Sequence, residues 1–145
     1  MIERYFDDAN SGENYPTALR HGGLIFVSGQ LGTFPGGPET DFEAQLRLAL
    51  HNLISAVEAS GGDRGTLLKV TGYLADVEYF PVYHQVYREV IGTDALPART
   101  TIQVGRFDHQ ILVELDAIAA VREESLDTSP TSRQTAGSSR INEHG

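Results

Sequence analysis

The chain has 145 residues, a net charge of −9, no cysteine and a single lysine, Lys69. Its length and 40% hydrophobic content suit one domain with one core. Without cysteine there are no disulfides and no thiolate chemistry. No apolar run approaches the roughly 20 residues that span a bilayer, and an acidic surface repels phosphate backbones, which argues against nucleic-acid binding.

The first stretch, "MIERYFDDANSGENYP", carries acids and no apolar segment, so it does not read as a signal peptide. A cytoplasmic protein is the expectation. An extra strand is expected at Ile2–Phe6. "TALRHGGLIFVSG" reads as two strands around Gly22-Gly23, a pair suited to positive φ at both centres of a tight hairpin turn. The unbroken run "LIFVS" predicts a strand buried on both faces. A Gly/Pro loop follows.

A helix is expected from about Thr40, with Thr40 and Glu43 forming a capping box. Phe42, Leu46, Leu50, Leu53 and Val57 make its apolar stripe, and Gly61-Gly62 ends it. "TLLKVTGYLADV" reads as a strand. A second helix covers about Glu78 to Ile91, with Pro81 in its first turn, Val82, Val86 and Val90 as its apolar repeat, and Gly92 as its stop. Two last strands, about 99–106 and 111–121, flank the turn "FDHQ" and are expected to pair with each other. The order is ββαβαββ, an α+β fold with two helices on one face of a sheet. The domain is read as 1–122. Residues 123–145, "EESLDTSPTSRQTAGSSRINEHG", are expected to form a disordered polar tail.

The strands carry apolar residues in both phases, as Leu112 and Ile118 do against Ile111, Val113 and Leu115. Two helices cover one sheet face, and no further helix is available for the other. A second copy of the chain is the expected cover, which allows a site between subunits.

His21, His51, His84, His109 and His144 are scattered, and no pair has metal-ligand spacing on a helix. No metal or cofactor site is expected. "GLIFVSGQLG" lacks the pattern of a nucleophile elbow, and "GTFPGG" has no phosphate-loop lysine. Arg99 and Glu114 remain. Arg99 stands at the mouth of a strand, and Glu114 interrupts the apolar run "ILVELDAIAAV". If the last two strands pair, the two residues lie about one diagonal apart. One reading is a structural ion pair or solvated edge charges. The other is an anion clamp beside a carboxylate that activates water.

"LIFVSGQLG", "AQLRLALHNLISAVEASGG", "LLKVTGYLADVEYFPVYHQVY" and "LPARTTIQV...ILVELDAIA" resemble the RidA (reactive intermediate deaminase) family, from about Tyr15 to Val121. The resemblance implies a chorismate mutase-like fold, a homotrimer whose sheets form a central barrel, and three sites in the clefts between subunits. It implies hydrolysis of 2-imino acids to 2-keto acids and ammonia, without a cofactor. It places the substrate carboxylate on Arg99, the water-positioning carboxylate at Glu114, and Tyr15, Ser28 and Gly29 around the substrate. The chain departs from the family at "ENYPTAL", at His84, where an asparagine is frequent, and at Thr101.

Each of these residues also has an ordinary reading. Tyr15 can pack over a subunit edge, Ser28 can bond the turn backbone, and His84 can be a surface or capping contact. Tyr79, Tyr83 and Tyr87 read as packing. Two rival functions remain: a protein that binds a small carboxylate without turnover, and a ribonuclease, which the charge disfavours.

Overall fold

A computed structural model describes residues 1–8, 14–34, 37–38, 41–105, 107 and 110–123. Strands β1 (Ile2–Tyr5), β2 (Ala18–His21) and β3 (Leu24–Leu31) form a meander, and β4 (Thr33–Phe34) and β5 (Gly37–Pro38) form a small separate pair. Helix α1 (Phe42–Ala59), strand β6 (Leu67–Leu74), helix α2 (Phe80–Ile91), and strands β7 (Ala98–Gln103) and β8 (Val113–Ala120) complete the fold. The main sheet has the order β1-β2-β3-β8-β6-β7. The expected α+β order is therefore present, including the extra N-terminal strand. The tail expected from residue 123 lies, Glu123 apart, outside the described residues. No described helix is long and apolar enough to cross a membrane.

Both helices pack on one sheet face. The core joins Leu46, Leu50, Leu53 and Val57 of α1 to Ile25, Val70, Leu74, Val113 and Leu115 of the sheet, all but fully buried. Asp41, rather than Thr40, caps α1: its carboxylate accepts from the Ala44 amide at 2.9 Å. Aspartate is at least as good a cap as threonine, and here it stands three positions before the amide it satisfies. Thr40 itself lies outside the described residues. Glu43 pairs instead with Arg47, one turn on, at 3.0 Å.

Four other expectations need correction. Of the two glycines in the β2–β3 turn, only Gly22 has positive φ, +61°. The run "LIFVS" is buried on one face only: Ile25 is fully buried, whereas Leu24 and Phe26 are 41% and 42% exposed. In α2 the buried residues are Tyr83, Val86, Tyr87 and Ile91, and Val82 is exposed. A strict repeat of four drifts about 40° per step around a 3.6-residue helix, which turns Val82 outward while Val86 is buried and Val90 packs partly buried against the core.

The fourth concerns the last two strands, which do not pair. β7 runs parallel to β6, with Arg99 opposite Val70, and β8 is inserted antiparallel between β3 and β6. The segment β6–α2–β7 is a strand–helix–strand crossover, which requires parallel strands and carries β7 to the sheet edge. At Gly72 of β6 a side chain would collide with the ring of Tyr83, so glycine lets α2 lie close to the sheet. Burial pushes the Tyr83 phenol up to about 12, so it stays neutral. The backbone entering β8 is fixed by the buried Gln45 of α1. Its amide donates to the Gln110 carbonyl at 2.6 Å and accepts from the Leu112 amide at 2.9 Å.

Candidate functional site

Strand alternation decides where Glu114 points. Val113, Leu115, Ala117 and Ala119 of β8 are buried beneath the helices, so Glu114 and Asp116 face the opposite, uncovered side. Glu114 lies across from Leu31 of β3 and Tyr73 of β6. The Tyr73 hydroxyl donates to Asp116 Oδ2 at 2.7 Å. Burial raises the Glu114 carboxyl above the usual carboxylate range, and the charge of Asp116 raises it further.

Beside Glu114 the β3–β8 register slips between Val27 and Gln30, which places Ser28 and Gly29 in a bulge. A side-chain carbon at Gly29 would meet the Glu114 carboxylate, so glycine makes room for it. The Ser28 hydroxyl donates to the Pro16 carbonyl at 2.7 Å, and the Ser28 amide donates to the Thr17 carbonyl at 3.0 Å. Ser28 thus anchors the segment that carries Tyr15, the backbone-bonding role open to it from the sequence. Tyr15 and Gly29 share the wall of a ≈530 Å³ cavity with Tyr5, Gln30 and Asn52. Gly29 and Glu114 meet at the bulge, and Tyr15 is tied to it by the segment that Ser28 anchors and by the cavity it shares with Gly29.

Arg99 lies in another region. Its partners across the sheet, Val70 and then Ala117, are both buried, so Arg99 points to the helix side. The guanidinium lies over Tyr87, Tyr83 and Phe80, at 4.9, 5.7 and 5.8 Å from the ring centroids. Nη2 of Arg99 is 3.2 Å from Nδ1 of His84. A guanidinium only donates, so in this bond His84 accepts through Nδ1.

The diagonal contact expected between Arg99 and Glu114 is absent. β6 separates their strands, and Glu114 is offset by three residues along β8, which puts the two Cα atoms about 14 Å apart and their side chains on opposite sheet faces. The reading of a structural Arg99–Glu114 ion pair within one chain falls with it. No described carboxylate pairs with Arg99.

Tyr83 and Tyr87 pack in the core as expected; what the packing reading leaves out is that their ring faces also carry Arg99, which bonds His84. The signal was present, since Phe80, Tyr83, His84 and Tyr87 at i, i+3, i+4 and i+7 share one helix face. Tyr79 also packs, stacked on Phe42 at 4.3 Å. Among the described residues, no group of three acidic or histidine side chains could hold a metal ion.

Comparison with known proteins agrees with this architecture. A family model described as Endoribonuclease L-PSP matches residues 7–121. A RutC family protein of Pyrococcus horikoshii is 34% identical over 108 residues, spanning 72% of this chain and 85% of its own length. The 2-iminobutanoate/2-iminopropanoate deaminase of Salmonella typhimurium is 32% identical over 122 residues, spanning 76% and 94%. The crystal structure of RidA from an Antarctic Psychrobacter superposes with a TM-score of 0.71 at 26% identity, covering 81% of this chain and 94% of that one. On the extent of these matches, the chain belongs to the RidA family.

Proposed function

We propose that this chain hydrolyses 2-imino acids to 2-keto acids and ammonia at a site shared between subunits of a homotrimer. The observation that carries this reading is the division of the site. Arg99, free of any described carboxylate, stands on the edge strand facing the helices, and Glu114 stands on the uncovered face. One chain cannot present both to one small molecule. A second copy laid against the uncovered face, where Leu24, Phe26 and Ile102 are exposed, brings its own Arg99 edge toward Glu114. Light scattering should give about three times the 15.8 kDa chain mass, and a monomer at micromolar concentration would end the shared-site reading.

In the proposed mechanism the substrate carboxylate takes two parallel hydrogen bonds from Arg99. Glu114 accepts a proton from water as the water oxygen bonds to the imine carbon. The protonated imine becomes a tetrahedral carbinolamine, the proton on Glu114 passes to its nitrogen, and the C–N bond breaks as the hydroxyl oxygen forms the keto C=O; the hydroxyl proton returns to Glu114 and is passed to the departing ammonia as ammonium. Tyr15 and the backbone at Gly29 line the substrate, and Ser28 holds the Tyr15 segment. No step requires a cofactor. The relative named a deaminase supports this chemistry, and the acidic charge supports it over the ribonuclease suggested by the family model's description. The test is to generate 2-iminobutanoate with an amino-acid oxidase and follow loss of the semicarbazide-trapped imine. Carboxylate binding without acceleration would leave the non-catalytic binding protein instead.

Gly29→Ala gives a sharper check on Glu114. The added carbon displaces only the end of a flexible side chain, so stability should change by less than about 1 kcal/mol. The carboxylate moves, and imine hydrolysis should fall at least about tenfold. Thermal melts and the oxidase-coupled assay on the same preparation read both effects. Unchanged turnover would mean that Glu114 needs no fixed position.

A further inference from the structure

The groove beside Arg99 encloses ≈370 Å³, in the range of pockets for ligands well above a three- or four-carbon acid in size. Its walls include His84, Tyr87, Arg88, Leu96, Pro97 and Arg99, and no described acidic residue lines it. This is notable on a chain of net charge −9. Among the described arginines only Arg47, with Glu43 and Glu89, and Arg64, with Asp94, pair with carboxylates; what sets Arg88 and Arg99 apart is that both line this one groove. Arg88 and Arg99 have no carboxylate partner among the described residues.

His84 and Arg88 are four residues apart on α2 and so share a helix face. Arg99 is bonded to His84. Both guanidiniums and the imidazole therefore line one groove, with the apolar surfaces of Tyr87, Leu96 and Pro97 in it. Arg88 also stands in the last turn of α2, where a cation is favoured by the helix dipole. That accounts for a cation at the helix end but not for a groove with a second unpaired guanidinium and no described acid.

We propose that the substrate of this site carries a second carboxylate: a 2-imino dicarboxylate, with its C1 carboxylate on Arg99 and its distal carboxylate on Arg88. The proposal rests on the reading of Arg99 as the substrate clamp. The methylene carbons lie against the apolar walls, and a substrate ending in a methyl group leaves Arg88 unused.

The products serve as probes, because they keep both carboxylates. Calorimetry should find 2-oxoglutarate bound at least tenfold more tightly than 2-oxobutanoate by the wild-type protein. Arg88→Gln, an exposed change that removes the charge and keeps a polar side chain, should bring the two within about twofold. Equal affinities in the wild type, or a preference that survives Arg88→Gln, would overturn the proposal. In parallel, imines made in situ from glutamate and from 2-aminobutanoate test the chemistry. No turnover of either, with the binding preference intact, refutes the deaminase reading and leaves the dicarboxylate site standing. Turnover of the monoacid imine with no dicarboxylate preference does the reverse.

Discussion

Arg99→Lys is expected to lower kcat/KM for imine hydrolysis by about 10²-fold or more, with the chain still folded. Lysine keeps the positive charge and the reach. It loses the planar fork that aims two parallel N–H bonds at a carboxylate, and with it the alignment of the imine carbon to the water. The fold has little at stake. Arg99 stands on an edge strand, and its interactions are one hydrogen bond to His84 and the ring faces of Phe80, Tyr83 and Tyr87. A stability loss of about 1 kcal/mol is the size of one such cation–ring contact at a partly exposed site. Steady-state kinetics, a thermal melt and light scattering on the variant separate these effects. Wild-type kinetics in the lysine variant would reduce Arg99 to an ordinary strand-end charge.

The helices were legible because their signals are local. The apolar stripe of α1, the proline in the first turn of α2 and the glycines after both helices act within a few residues of one another, and α1 and α2 lie close to where those signals put them, although the cap of α1 and the stripe of α2 do not match. The pairing of β7 was not legible. A turn-like "FDHQ" between two β-rich runs favours a hairpin on local grounds, and only the crossover through α2, with Gly72 admitting Tyr83, sends β7 to the far side of β6. That one difference decides the site. With β7 beside β8, Arg99 and Glu114 would be neighbours in one chain; with β6 between them, they face opposite ways. The half-buried setting of Glu114 was legible from the apolar run around it. The bond between Tyr73 and Asp116 was not, because it depends on register across strands more than 40 residues apart in sequence.

Glu114→Gln should abolish most turnover, by about 10²- to 10⁴-fold in kcat, and leave binding of a 2-oxo acid nearly unchanged. The amide matches the carboxyl in shape but cannot take a proton from water, whereas the clamp at Arg99 is untouched. The raised Glu114 carboxyl adds a signature in pH. In the wild type the acid limb of kcat should lie above the usual carboxylate range, because Glu114 must be ionised to act as a base. Stability runs the other way. The folded state holds the Glu114 proton more tightly than the unfolded chain does. The stability this contributes is full below the unfolded value and is lost as pH rises through the folded one. At neutral pH the ionised carboxylate, half-buried beside Asp116, is therefore a net cost to the fold. The glutamine variant should melt at a higher temperature than wild type at pH 7.5, and the gap should close on acidification below the carboxylate range. A variant that is both inactive and more stable fits a carboxylate held in place for its chemistry. A variant that keeps its turnover would put the base elsewhere, and one that melts lower at neutral pH would show that Glu114 serves the fold.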